Sequence, residues 1–188
     1  MTVAELTEHQ DAVFGRLAKR ERDLDRYAKT IADLLKTDVS SDIDYQRNFN
    51  ALYGVRRNAQ WREAFYKLFE NYKDQPDLGF RDVLSELLRA TGRVEASFAS
   101  KLLATVNPKR AIYDSIVRKN LGLPPRASGT TQRIKRLCDD YETIQSHHEK
   151  QLARPAYQSL RAKFNVQFPQ CQHFSDLKVL DLMIWQMR

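Results

Sequence analysis

The chain of 188 residues is 42% hydrophobic and 29% charged, with six glycines and six prolines, which fits one globular core and excludes a collagen-like, low-complexity or membrane-embedded chain. A formal net charge of +7 and a pI near 9.5 place excess positive potential on the surface, for which a polyanion is the usual partner. Two widely separated thiols, Cys138 and Cys171, are too few for a disulfide framework, and the acidic start MTVAELTEHQ lacks the basic and apolar pattern of an export signal, so a reduced, cytoplasmic setting without membrane attachment is expected.

From Val3 to Leu35 the apolar residues Val3, Leu6, Val13, Leu17, Leu24, Tyr27, Ile31 and Leu34 form a stripe with charges between them. That spacing predicts one long amphipathic helix or arm over residues 1–36, or two helices in series. Gln10 and Arg20 interrupt the stripe, so packing on the chain's own core is expected rather than a free coiled coil. Asp38 to Asp42 is a polar break, and residues 43–188 read as the helical core of the same single domain.

Ile43, Phe49, Leu52 and Tyr53 mark a short helix that Gly54 ends. Asn58 can cap the next, whose Trp61, Phe65, Leu68, Phe69 and Tyr72 share a face, and the turn Asp74 to Gly79 closes it. Phe80, Val83, Leu84, Leu87 and Leu88 predict a helix stopped at Gly92. Another runs from Val94 to Val106, where Asn107-Pro108 ends it. Asp114 can cap a helix closing near Leu121-Gly122, and a basic loop follows at Arg126 to Gly129. Three more helices are expected near Thr130 to Lys150, Pro155 to Phe168 and Ser175 to Met187. No stretch alternates as a strand would, so the fold class is all-α, a single-domain bundle of about eight or nine helices.

The stretch Thr91 to Leu123, TGRVEASFASKLLATVNPKRAIYDSIVRKNLGL, carries the most chemistry. It reads as helix, glycine-containing turn, helix, proline loop and a further helix that opens on an acid and carries Arg118 and Lys119. Such an arrangement aims backbone N–H groups outward near basic side chains and suits a phosphate. Within it, IYDSIVRKNLGL resembles the segment of the endonuclease III and adenine glycosylase superfamily in which an aspartate opens a helix, an arginine follows four residues later, and the helix closes on a leucine-glycine pair.

The resemblance implies a helix-hairpin-helix glycosylase-like core, DNA or RNA as partner, and base excision or a non-catalytic relative of it. By position Asp114 is the acid that deprotonates a nucleophile or steadies a cationic sugar, Arg118 is the arginine, and Lys101 is the candidate for the upstream lysine. The sequence departs from the family in having only Gly92 in the hairpin turn and no four-cysteine cluster. Lys101 also lies closer to Asp114 than the family's lysine does, inside the second helix of the hairpin, which makes water the expected nucleophile. The bland readings are an Asp114 that only caps its helix, worth roughly 1 kcal/mol, and a Lys101 on a solvated face, since a nucleophilic lysine needs burial or a nearby cation.

A second basic and aromatic group, Arg47, Tyr53, Arg56, Arg57, Trp61, Arg62 and Lys67, could grip phosphates and stack bases, although Trp61 shares the inward stripe of Phe65 and Leu68. The residues expected to contact nucleic acid are Arg56, Arg57, Arg93, Lys109, Arg110, Arg118 and Lys119. No metal or cofactor is expected. His147 and His148 point about 100° apart on a helix, and Cys171 with His173 is too isolated for a four-ligand site. A rival from another class is a helical protein-interaction module, monomeric or dimeric through its N-terminal helix.

Overall fold

Residues 1–123 and 130–187 are described by a computed structural model, so the basic loop expected at Arg126 to Gly129 lies outside them. The N-terminal stripe folds as three short helices, α1 (Val3–Glu8), α2 (Gln10–Ala18) and α3 (Glu21–Asp33), in place of one long helix or arm. The breaks fall at His9 (φ −104°, ψ 16°) and Arg20 (φ −119°, ψ 26°). Each helix thereby turns its apolar face to a different neighbour, α1 to α10 (Pro155–Gln167), α2 to α11 (Asp176–Gln186) and α3 to α4 (Ile43–Tyr53). Short helices gain most of their stability from such packing, so burial outweighs continuous propagation. Val3, Leu6, Val13, Leu17 and Leu24 are at most 1% exposed. The split raises the expected eight or nine helices to eleven among the described residues, where no strand occurs.

Capping side chains start the middle helices. Asp42 Oδ1 accepts the N–H groups of Asp44 and Tyr45 at 2.9 Å to open α4. Asn58 Oδ1 accepts that of Trp61 at 3.0 Å to open α5 (Ala59–Tyr72). Helix α4 stops at Gly54, whose φ of 64° is left-handed. A Cβ there would meet nothing within 4 Å, so Gly54→Ala should cost only backbone strain, about 1–2 kcal/mol, read as a shifted urea midpoint with an unchanged slope.

Helix α6 (Phe80–Thr91) ends at left-handed Gly92, and α7 (Ala96–Val106) packs back against it. The connection to α8 (Ser115–Asn120) is pinned twice: the Tyr113 N–H donates to Ser100 Oγ on α7 at 2.9 Å, and the Ala111 N–H donates to Gln145 Oε1 on α9 (Thr130–Leu152) at 2.8 Å. These two bonds fix the direction in which Ile112 and Asp114 leave the backbone. A 3-10 turn, Pro169–Cys171, leads to α11, which Ser175 caps and which packs on α2, α8 and α9. Rings of Phe49, Phe65, Tyr66 and Phe69 pack edge-on or tilted between α4 and α5 at centroid distances of 5.2 to 6.0 Å. Among the described residues no helix is long and apolar enough to cross a membrane.

Candidate active-site cavity and basic cleft

Asp114 sits at the N-terminus of α8 in extended backbone (φ −135°, ψ 175°), and its Oδ1 accepts the Val117 N–H at 2.8 Å. The capping role expected for it is therefore filled. The same half-buried side chain also lines a cavity of about 240 Å³. Burial raises the carboxyl's pKa from its ordinary value, against the Val117 hydrogen bond and the Lys101 charge, which lower it. One carboxylate thus holds its helix and lines the cavity.

Lys101 lines the same cavity. It lies inside α7, as its spacing implies, yet it is half-buried rather than solvated. Its Nζ donates to the Tyr53 carbonyl at 3.1 Å and lies 5.3 Å from the ring centre of Phe98 and 5.7 Å from that of Tyr53. Burial pushes its pKa below the ordinary lysine value; Asp114 and Asp181 oppose that shift and Lys178 adds to it. Desolvation and a nearby cation both favour the neutral form of a lysine amine.

Helix α11 supplies residues that the sequence reading passed over. Lys178 and Asp181 line the cavity as a buried ion pair with Nζ 3.3 Å from Oδ2. At the mouth, Arg20 stacks its guanidinium 4.0 Å from the ring centre of Trp185 and donates from Nε to Asp23 Oδ2 at 2.8 Å. Leu17, Leu24, Leu52, Ile112 and Leu182 complete apolar walls. The C-terminal helix reads in sequence as a core stripe, LKVLDLMIW. The signal in it is a lysine and an aspartate three residues apart within an otherwise apolar run, since such charges are seldom buried unless paired.

Of the residues expected to contact nucleic acid, Arg56, Arg57 and Arg93 converge on a surface cleft of about 420 Å³ beside Asn58 and Thr91. Arg57 and Arg93 also line an adjoining cleft of about 470 Å³ with Gly92, Ser97 and Arg133. Glu95 takes both arms of Arg57, at 3.0 and 3.1 Å, which fixes the guanidinium and offsets part of its charge. Trp61 is buried and packs its ring 5.0 Å from that of Phe65, a core residue rather than a stacking platform. Arg57 of the cleft and Lys101 of the cavity both approach the Phe98 ring, with Arg57 Cζ 5.1 Å from its centre and Lys101 Nζ 5.3 Å.

The remaining basic residues are not among those lining the cleft. Arg118 points inward, 3.7 Å from Asp140 and 5.6 Å from the Tyr113 ring centre. Arg110 lines a narrow crevice against Tyr27, Lys178 and Asp181, and Lys109 and Lys119 are exposed. His147 contacts the Met1 carbonyl at 2.7 Å, and His148 contacts that of Ile144 at 2.8 Å. Among the described residues no three of His, Cys, Asp and Glu gather as metal ligands would. No protein-family model, curated protein or solved structure matches the chain, so any functional reading rests on these side chains and their chemistry.

Proposed function

We propose that the chain is a nucleic-acid N-glycosylase of the helix-hairpin-helix kind that its central segment resembles, with Lys101 and Asp114 at its reacting centre. The observation that carries this reading is that an amine and a carboxylate from separate elements line one cavity. An apolar cavity of about 150 Å³ takes up benzene, so about 240 Å³ admits a single flipped heteroaromatic base. Trp185 and Tyr53 are the aromatic residues that line it.

In this mechanism a neutral Lys101 amine adds to C1′ of the nucleoside while the N-glycosidic bond breaks, its electron pair leaves with the base, and the proton shed by the new C1′ ammonium goes to the departing base. Asp114 stabilises the positive charge that develops on the sugar. Arg56, Arg57 and Arg93, one aromatic ring away, hold the flanking phosphates. Of the N-terminal stripe through which a rival interaction module could dimerise, Val3, Leu6, Val13, Leu17, Leu24, Tyr27 and Leu34 are buried in the chain's own core.

The test is binding of a fluorescent oligonucleotide across a salt series. Affinity should fall steeply as salt rises, because neutralised phosphates release counterions. Arg56→Glu and Arg93→Glu should each weaken binding and reduce the log–log salt slope by about one or more. An affinity indifferent to salt and to both reversals would leave the cleft without a nucleic-acid role.

A further inference from the structure

Helix α11 brings a second amine and a second carboxylate into the cavity, and the reaction drawn above uses neither. Lys178 and Asp181 are 7% and 6% exposed, one helical turn apart, with Nζ 3.3 Å from Oδ2. Lys178 Nζ also lies 4.5 Å from the ring centre of Tyr27 and 5.7 Å from that of Tyr53, the ring whose centre Lys101 Nζ approaches to 5.7 Å. Two amines therefore flank one phenol, and both line the cavity with Asp114 and Asp181.

We propose that Lys178 is a positioning residue for this cavity: as the counter-ion of Asp181, it keeps that carboxylate from becoming the counter-ion of Lys101, whose amine stays available as a nucleophile. The proposal rests on the reading of Lys101 as the reacting amine. Its physics is charge balance in a poorly solvated space, where an opposite charge within about 4–6 Å moves a pKa by about 1–3 units. Lys101 faces Asp114 from the segment before α8, Asp181 and Lys178 from α11, and the Tyr53 phenol from α4. Lys178 faces Asp181 and Asp114, Tyr53, and Tyr27 from α3. Arg110 borders the pair, and His148 on α9 and Tyr27 feel the Asp181 charge. Arg20 and Asp23 neutralise one another at the mouth.

Within that set the two lysines diverge. Burial opposes the charge on Lys178, but Tyr53 and its bond to Asp181 hold its pKa above the ordinary value. Burial dominates at Lys101, over the opposing charges of Asp114 and Asp181. Lys178 keeps its proton so that Lys101 can release one.

The test follows the Lys101 Cε resonance by NMR in the full chain with carbon-labelled lysine, titrated through the alkaline range. Lys178→Met should raise the Lys101 midpoint by about one pH unit or more, because Asp181 turns to the remaining amine. Asp181→Asn should lower it. The double variant Lys178→Met/Asp181→Asn should return it close to the parent value, and Lys178→Arg should leave it there. A merely structural role predicts no such opposed and cancelling shifts. Should Lys178→Met alone not fold, Asp181→Asn and the double variant still decide: a Lys101 midpoint unmoved in Asp181→Asn, or a double variant far from the parent, overturns the proposal. No nucleic acid enters the measurement, so a chain inactive on every oligonucleotide would sink the glycosylase reading and leave these midpoints to be judged alone.

Discussion

Asp114→Asn should abolish base release while leaving the fold and nucleic-acid affinity in place. Asparagine ranks with aspartate as an N-cap, so the Val117 N–H keeps its acceptor and α8 keeps its start. What the variant loses is the negative charge in the cavity, and removal of such a group costs about a hundredfold or more in rate. Single-turnover release of a damaged base, run beside a binding isotherm, separates the two effects. Unaltered turnover would remove Asp114 from the mechanism.

Stability of the same variant carries a pH signature. Burial raises the Asp114 pKa, so the folded chain holds that proton more tightly than the unfolded chain. The carboxyl's contribution is therefore full below its unfolded value and is lost as pH rises through the raised folded value. Asp114→Asn should accordingly match the parent in acid and exceed it at neutral pH, measured as urea midpoints at both. A variant equally destabilised at the two pH values would mean that the carboxylate is not desolvated.

Phe49→Ala should have the largest effect on the fold. The ring is fully buried, and its centre lies 4.8 Å from that of Tyr53, 5.3 Å from Phe69, 5.8 Å from Phe65 and 6.0 Å from Tyr66. Truncating a buried phenylalanine costs about 3–5 kcal/mol, which in a chain of this length lowers Tm by roughly 10 to 15 °C. The damage should reach the site, because Tyr53 both packs on Phe49 and offers its carbonyl to Lys101. A circular-dichroism melt checks the first claim, and a fall of under about 3 °C would mean that the aromatic cluster repacks around the gap.

Much of the fold is legible because its determinants are local. The stripe of Trp61, Phe65 and Phe69 repeats at the helical period, Gly54 and Gly92 adopt the left-handed stops that favour glycine, and Asp114 caps the helix it precedes. The division of the first helix into three is not local. Gln10 and Arg20 interrupt the apolar stripe beside the two breaks, but where each short helix then turns depends on which of α10, α11 and α4 it meets.

The site divides in the same way. Asp114 and Lys101 stand out by type and position, whereas their meeting with Lys178 and Asp181 joins distant parts of the chain that share no sequence period. Arg118 shows the converse. Its place in a phosphate-suited motif is visible in sequence, but Asp140, which turns it inward, lies on a different helix. Arg56, Arg57 and Arg93 are clustered by the hairpin that brings the start of α5 beside the end of α6.

Covalent capture tests the central claim most directly. An oligonucleotide carrying an abasic aldehyde is incubated with the full chain and borohydride, and the adduct is located by peptide mass. A neutral amine in the cavity condenses with the aldehyde, loses water and is fixed by hydride, so the adduct should form at Lys101 and vanish in Lys101→Met while salt-dependent binding persists. Capture confined to surface lysines, or undiminished in Lys101→Met, would contradict a nucleotide-admitting cavity built around this lysine and Asp114.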